Sequence, residues 1–135
     1  MNKKLEGNKM KALSIHPEYA LEILKGQKTE EYRTWSTKYR GDLLICATAK
    51  KTPGAISGHA LCVVYLDAIN VLNDGTYAWK LTNLRYLEPF KIKGKQRLYD
   101  VDDVVIQEAL AKLDVEKHFQ NFEQIWQNYY QSFLE

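Results

Sequence analysis

Two apolar runs, Ala60–Val71 and Tyr77–Leu87, flank the tripeptide Asn73-Asp74-Gly75. Asn and Asp tolerate left-handed backbone and Gly adopts it freely, so this spacing predicts a tight turn between antiparallel strands. A hairpin of that length cannot bury its apolar face alone and needs further strands beside it. The rest of the chain must therefore supply a sheet.

Candidate strands come in order. Met10–Ile15 is a short apolar strand, and Pro17 then suits the first turn of a helix, where its missing N–H costs nothing. Tyr19, Ala20, Ile23 and Leu24 recur at helical spacing, and Gly26 stands where a helix ends. A strand follows from about Thr29 to Trp35, then the Tyr39–Asp42 turn and a strand over Leu43–Ala49. Lys50–Gly58 is a loop by its Pro and two Gly. Pro89 is expected to interrupt the returning hairpin strand, and Lys91–Arg97 with the run to Val101 predicts at least one more. Five to seven strands with one early helix predict an α+β fold built on a small, mixed or antiparallel, partly closed β-barrel.

The last third reads as helix. Asp102 or Asp103 is a cap for a helix burying Val105, Ile106, Ala109, Leu110 and Leu113. A second helix carries Val115, Phe119, Phe122, Trp126, Tyr129 and Phe133 down one face. That stripe either packs on the barrel or forms a seam between two chains or with a protein partner. Packing is the expectation, giving a monomer or a weak homodimer. The expected organisation is a disordered leader over 1–9, a barrel over 10–101 and a two-helix extension over 102–135. Met1 and Met10 both stand as possible starts.

Charge is unevenly divided. Through Asp100 there are 17 Lys and Arg against 10 Asp and Glu, and beyond it 2 against 7. An anionic partner is thus expected to meet the first hundred residues. The apolar stretches are far short of the ~20 residues a membrane span needs. Cys46 and Cys62 lie inside apolar strands and read as buried thiols of a cytoplasmic protein.

The chemistry-bearing motif is Gly26-x-Lys28-x-x-Glu31-x-Arg33, followed by Trp35 and Tyr39-Arg40-Gly41. On a strand, period 2 sets Glu31, Arg33 and Trp35 on one face, with Lys28 reaching in from the turn. A carboxylate flanked by two cations stays ionised even when half-buried. Such a set either closes the barrel mouth or lines a cleft. Lys91, Lys93, Lys95 and Arg97 alternate, so an extended segment would present four cations on one face, suited to a phosphate backbone or to guarding an edge strand. Trp35 and Tyr39 are the candidate stacking surfaces for bases.

Residues 13–51 closely resemble the ASCH domain, named for activating signal cointegrator proteins. Leu13-Ser14, Pro17, Ala20, the Gly-x-Lys-x-x-Glu-x-Arg set, Trp35, Thr37, Arg40-Gly41 and Ala47–Lys51 carry the likeness, with Pro89–Lys95 resembling the family's late Ile-Lys-Gly segment. The resemblance spans roughly 10–101 and implies a PUA-like barrel whose cleft receives nucleic acid, most often RNA. It implies binding roles for Lys28, Glu31 and Arg33, flanked by Lys91, Lys93 and Lys95 of the late segment; Trp35, Tyr39, Arg40 and Lys50 complete the set of candidate binding residues. The partner expected is RNA or a nucleotide-like ligand.

Some ASCH-like proteins are hydrolases. One branch acts on acylated cytidine and pairs the motif Lys with a Thr three residues on; here that position is Glu31. Another is described as a ribonuclease for single-stranded RNA. In an enzyme of that kind Lys28 and Glu31 would be the catalytic pair, Glu31 as base and Lys28 with Arg33 clamping the phosphorane. His16, His59 and His118 are far apart and no Cys-x-x-Cys occurs, so no metal is expected. His16 reads as a capping or core residue or as part of the pocket. No glycine-rich phosphate loop is present, so no cofactor is expected.

Overall fold

The hairpin organises the sheet. In the computed structural model, which describes residues 7–114 and 121–134, β4 runs His59–Val71 and β5 runs Tyr77–Lys91. Their turn closes with Gly75 at φ +84°, Leu72 N–H donating to Thr76 O over 2.8 Å, and Asp74 accepting from Thr76 N over 2.9 Å. Around the hairpin lie β1 (Lys9–Ile15), β2 (Glu30–Arg33), β3 (Gly41–Ala47) and β6 (Tyr99–Asp102). The strand order is β2-β5-β4-β3-β1-β6. Only β1 and β3 pair in parallel. That pairing needs a crossover, which α1 (Pro17–Leu24) and β2 supply.

Among the described residues no ladder joins β2 to β6, so the six strands form a mixed sheet that hydrogen bonds do not close, and the expected partly closed barrel is not realised as a hydrogen-bonded ring. Curvature comes from bulges. The β4–β5 register shifts three times, between Ala60 and Cys62, Val63 and Tyr65, and Leu66 and Ala68. Each shift adds bend and twist without closing the ring. Asn83 sits at φ +52° in the middle one, a conformation Asn tolerates better than most residues.

Both faces of the sheet are covered. Leu43 and Ile45 point into one apolar layer, with Ala20, Ile23 and Leu24 of α1. Leu44 and Cys46 point into the other, with Ile106 and Ala109 of α2 (Asp103–Asp114). A strand buried on both sides is why Leu43–Ala47 is apolar without alternation. Cys46 and Cys62 fall in different layers and are free and buried. Burial pushes the Cys46 thiol up to about 12 and raises that of Cys62 as well. As anticipated, Asp102 caps α2, its carboxylate accepting from Val104 N over 3.0 Å. Val105 is exposed, however, because α2 turns only Ile106, Ala109 and Leu113 fully inward.

Pro89 does not end β5; it falls inside the Ala60/Cys62 bulge, where β5 has three residues opposite Leu61. No ladder bond is lost there, so the missing N–H is harmless. The bulge leaves Leu61 C=O and Leu87 N–H unmatched, and the chain's far end repairs them. Tyr130 hydroxyl donates to Leu61 O over 2.8 Å and accepts from Leu87 N over 3.2 Å. Tyr130 and Ile125 are buried, whereas Phe122, Trp126, Tyr129 and Phe133 are only partly so. The stripe shifts because α3 (Phe122–Ile125) runs into a π turn over Trp126–Tyr130. The wider turn advances the side chains in phase and drops Tyr130 onto the sheet. Val115 and Phe119 lie outside the described residues.

Candidate nucleic-acid interface

Helix α1 ends with Gly26 at φ +77°, and Glu22 O accepts from both Gln27 N and Lys28 N. This fixes Lys28 at the mouth of β2. Its ammonium lies 3.6 Å from Glu31 Oε1 and sits over the rings of Tyr19 and Tyr32, at 5.4 and 5.0 Å. On β2, Glu31 and Arg33 project to the same side, as period 2 requires. Arg33 Nε stands 3.1 Å from Glu31 Oε2, and Arg33 Nη2 donates to Ser14 O on β1 over 3.0 Å. Glu31 is therefore a buried carboxylate between two cations. Burial raises its pKa above the ordinary 4.5, against the pull of Arg33, Lys28 and His16.

Glu31 and Arg33 open into a cavity of about 540 Å³. Trp35, Ser14, His16 and Thr48 line it with them, and Lys95 and Arg97 close it from the opposite side. Trp35 lies beyond the end of β2 and is edge-on to Trp79, centroids 4.8 Å apart. The Arg97 guanidinium rests over the Trp35 ring at 4.9 Å. Two polar atoms in this lining are buried without a hydrogen-bond partner, Arg33 Nε and Thr48 Oγ1. The Arg33–Glu31 approach is thus an ion contact whose angle is off that of a hydrogen bond.

The other sequence candidates are placed elsewhere. Tyr39 hydroxyl donates to Asp42 O over 2.5 Å, and Arg40 donates to Thr37 O and Tyr39 O, both over 2.8 Å. Those bonds hold the turn into β3, and neither side chain lines the cavity. Lys50 is exposed in the following loop and is not part of the lining either. Lys91 to Arg97 is not one strand: β5 ends at Lys91 and residues 92–98 form a loop. Four cations on one face are therefore not realised. Lys95 and Arg97 line the cavity, while Lys91 and Lys93 line a separate depression.

Cavity residues outside the set of sequence candidates are Ser14, Ile15, Tyr19, Thr48, Gln96 and Arg97. The signal for Thr48 was its place in the Ala47–Lys51 run, and Arg97 belonged to the cation series. Ser14 reaches the site only because β1 runs beside β3. His16 lines the cavity from the position before α1, exposed and stacked at 6.2 Å on Tyr19, with no capping bond. Among the described residues no group of three His, Cys, Asp or Glu could hold a metal, and His118 lies outside them. No described helix is long and apolar enough to cross a membrane.

Comparison with known structures gives a consistent neighbour. The ASCH protein of Zymomonas mobilis superposes with a TM-score of 0.57 at 17% identity, covering 76% of this chain and 94% of that one. A point variant of the same protein gives 0.57 at 18% identity, covering 77% and 98%. At such identity the likeness speaks to fold alone. No curated protein matches the chain. The ASCH domain family model matches residues 13–133, which takes in all of the sheet but the start of β1, together with both terminal helices. With nearly the whole chain inside that match, the protein belongs to the ASCH domain family, with its PUA-like fold.

Proposed function

We propose that this ASCH domain binds nucleic acid, single-stranded RNA in particular, with one nucleotide seated in the cavity at Glu31 and Arg33. The observation that carries the reading is the lining itself. A buried carboxylate, the cations Arg33, Lys95 and Arg97, and Trp35 converge on a space of about 540 Å³, within the usual range of small-ligand sites. Lys95 and Arg97 meet phosphate, and Glu31 accepts N–H groups of a base while Lys28 holds it in place. Thr48 Oγ1, buried without a hydrogen-bond partner, is a polar group a ligand would satisfy. Residues 10–101 carry the binding surface in this reading, and residues 102–135 brace it. Two buried free thiols favour a cytoplasmic setting.

A second reading has one observation behind it. Glu31 stands in the cavity wall between Lys28 and Arg33, the arrangement of a general base with a cationic clamp, so the same cavity suits hydrolysis of RNA. One incubation separates the two. End-labelled single-stranded RNA is mixed with protein, and mobility and strand integrity are read from the same tube. A shift with intact strands supports binding. Cleavage that disappears in Glu31→Gln supports the hydrolase, and neither shift nor cleavage discards both.

A further inference from the structure

The depression beside the cavity is lined by Lys51, Ser57, His59, Lys91, Ile92 and Lys93 and measures about 420 Å³. Three lysines meet there, and among the described residues Lys91 and Lys93 have no acidic partner. Its floor is fixed. His59 Nδ1 is 2.8 Å from Ser57 O, and the His59 ring stands edge-on to Phe133 with centroids 5.2 Å apart. Ile92 N donates to Gly58 O over 3.1 Å, pinning the loop at its start.

Gly94 separates the depression from the cavity. A Cβ on Gly94 would lie 2.5 Å from Ser14 Oγ, so the loop backbone lies hard against β1. Ser14 cannot easily turn away, because its hydroxyl is 2.6 Å from that of Tyr99. Beyond this pivot Arg97 is seated on Trp35. The loop is thus held at Gly58, Ser14 and Trp35, with Lys93 before the pivot and Lys95 after it. Two residues of chain span at most ~7 Å. The two basic sites are therefore neighbours on a shared loop, within reach of successive phosphates of a single strand.

We propose that the Lys51, Lys91 and Lys93 depression is a second phosphate-binding site for the same RNA, so the ligand is an oligonucleotide crossing the Gly94 pivot. This rests on the RNA-binding reading of the cavity and extends it from a nucleotide to a strand. Each cation on a single strand contributes about 0.7 to the salt slope of log K.

The test uses a fluorescein-labelled ten-nucleotide single-stranded RNA and three proteins: wild type, Lys91→Gln/Lys93→Gln, and a charge-matched control, Lys25→Gln/Lys80→Gln. All four lysines are exposed, so each variant keeps its fold. Affinity is measured by anisotropy across a range of salt. The expected result is a fivefold or greater loss in Lys91→Gln/Lys93→Gln, with the slope shallower by about 1.4, and less than a twofold loss in the control. Equal losses in the two variants, or none in either, overturn the second site and leave the cavity reading standing. No binding by wild type overturns both.

Discussion

Tyr130 hydroxyl donates to the carbonyl of Leu61, 69 residues away, over 2.8 Å. It also accepts from Leu87 N–H, so one phenol bridges the two strands where their ladder is broken. Tyr130→Phe keeps the ring and strands two buried backbone groups, at about 1–3 kcal/mol each before relaxation. Denaturant unfolding should therefore show a loss of about 2 kcal/mol or more, while RNA affinity of the folded variant stays as in wild type. A loss well below 1 kcal/mol would mean the bulge satisfies itself.

Gly94 is required for its lack of a side chain rather than for its backbone angle. Gly94→Ala forces a methyl to within 2.5 Å of Ser14 Oγ, so the loop must lift from β1. Overpacking of this kind costs about 1–3 kcal/mol, and RNA affinity should fall as Lys95 and Arg97 leave the cavity. Adding Ser14→Gly removes both clashing atoms and should restore much of the affinity lost in Gly94→Ala. Failure of that rescue would contradict a steric role.

Thr48 Oγ1 is buried in the cavity wall without a partner. Thr48→Val replaces it with a methyl of similar size, so the ligand-free protein should gain up to about 1 kcal/mol. The same change should weaken RNA binding. Thermal melts with and without RNA read both effects at once, and a variant that loses stability in the free state would show the hydroxyl already satisfied.

Glu31 sets a pH dependence. Its folded pKa is raised above 4.5 by burial, so between those two values the native state holds more proton than the unfolded state. Stability from this group is fully present below pH 4.5 and is lost as pH rises through the folded value. Glu31→Gln removes the titration. The stability of wild type minus that of Glu31→Gln should therefore decline as pH rises above 4.5 and then level off. A difference that grows with pH would mean Arg33 and Lys28 outweigh burial.

Local pattern made part of this legible. The Asn73-Asp74-Gly75 turn, α1 with Gly26 beyond it, the Asp102 cap and the shared side of Glu31 and Arg33 all follow from spacing within a few residues. What escaped depends on contacts distant in the chain. Lys91–Arg97 alternates like a strand, yet Gly94 against Ser14 and Arg97 on Trp35 hold residues 92–98 as a loop. Tyr130 was hidden because a π turn changes the phase on which the aromatic stripe was read. Pro89 read as a strand breaker because the bulge that accommodates it, three residues of β5 opposite Leu61, shows only in the pairing with a strand distant in the chain. The barrel was expected from strand number, but closure depends on whether β2 and β6 meet.

The most direct test of the cavity as an RNA site is salt-dependent binding of a ten-nucleotide single strand to wild type and to Lys95→Gln/Arg97→Gln. Both residues are exposed at the cavity rim, so the pair can be changed without touching the core. Wild type should bind with a log K that falls steeply with log salt, and the variant should bind more weakly with a slope shallower by about 1.4. Equal affinity and equal slope in the two proteins would contradict an RNA site at Glu31 and Arg33.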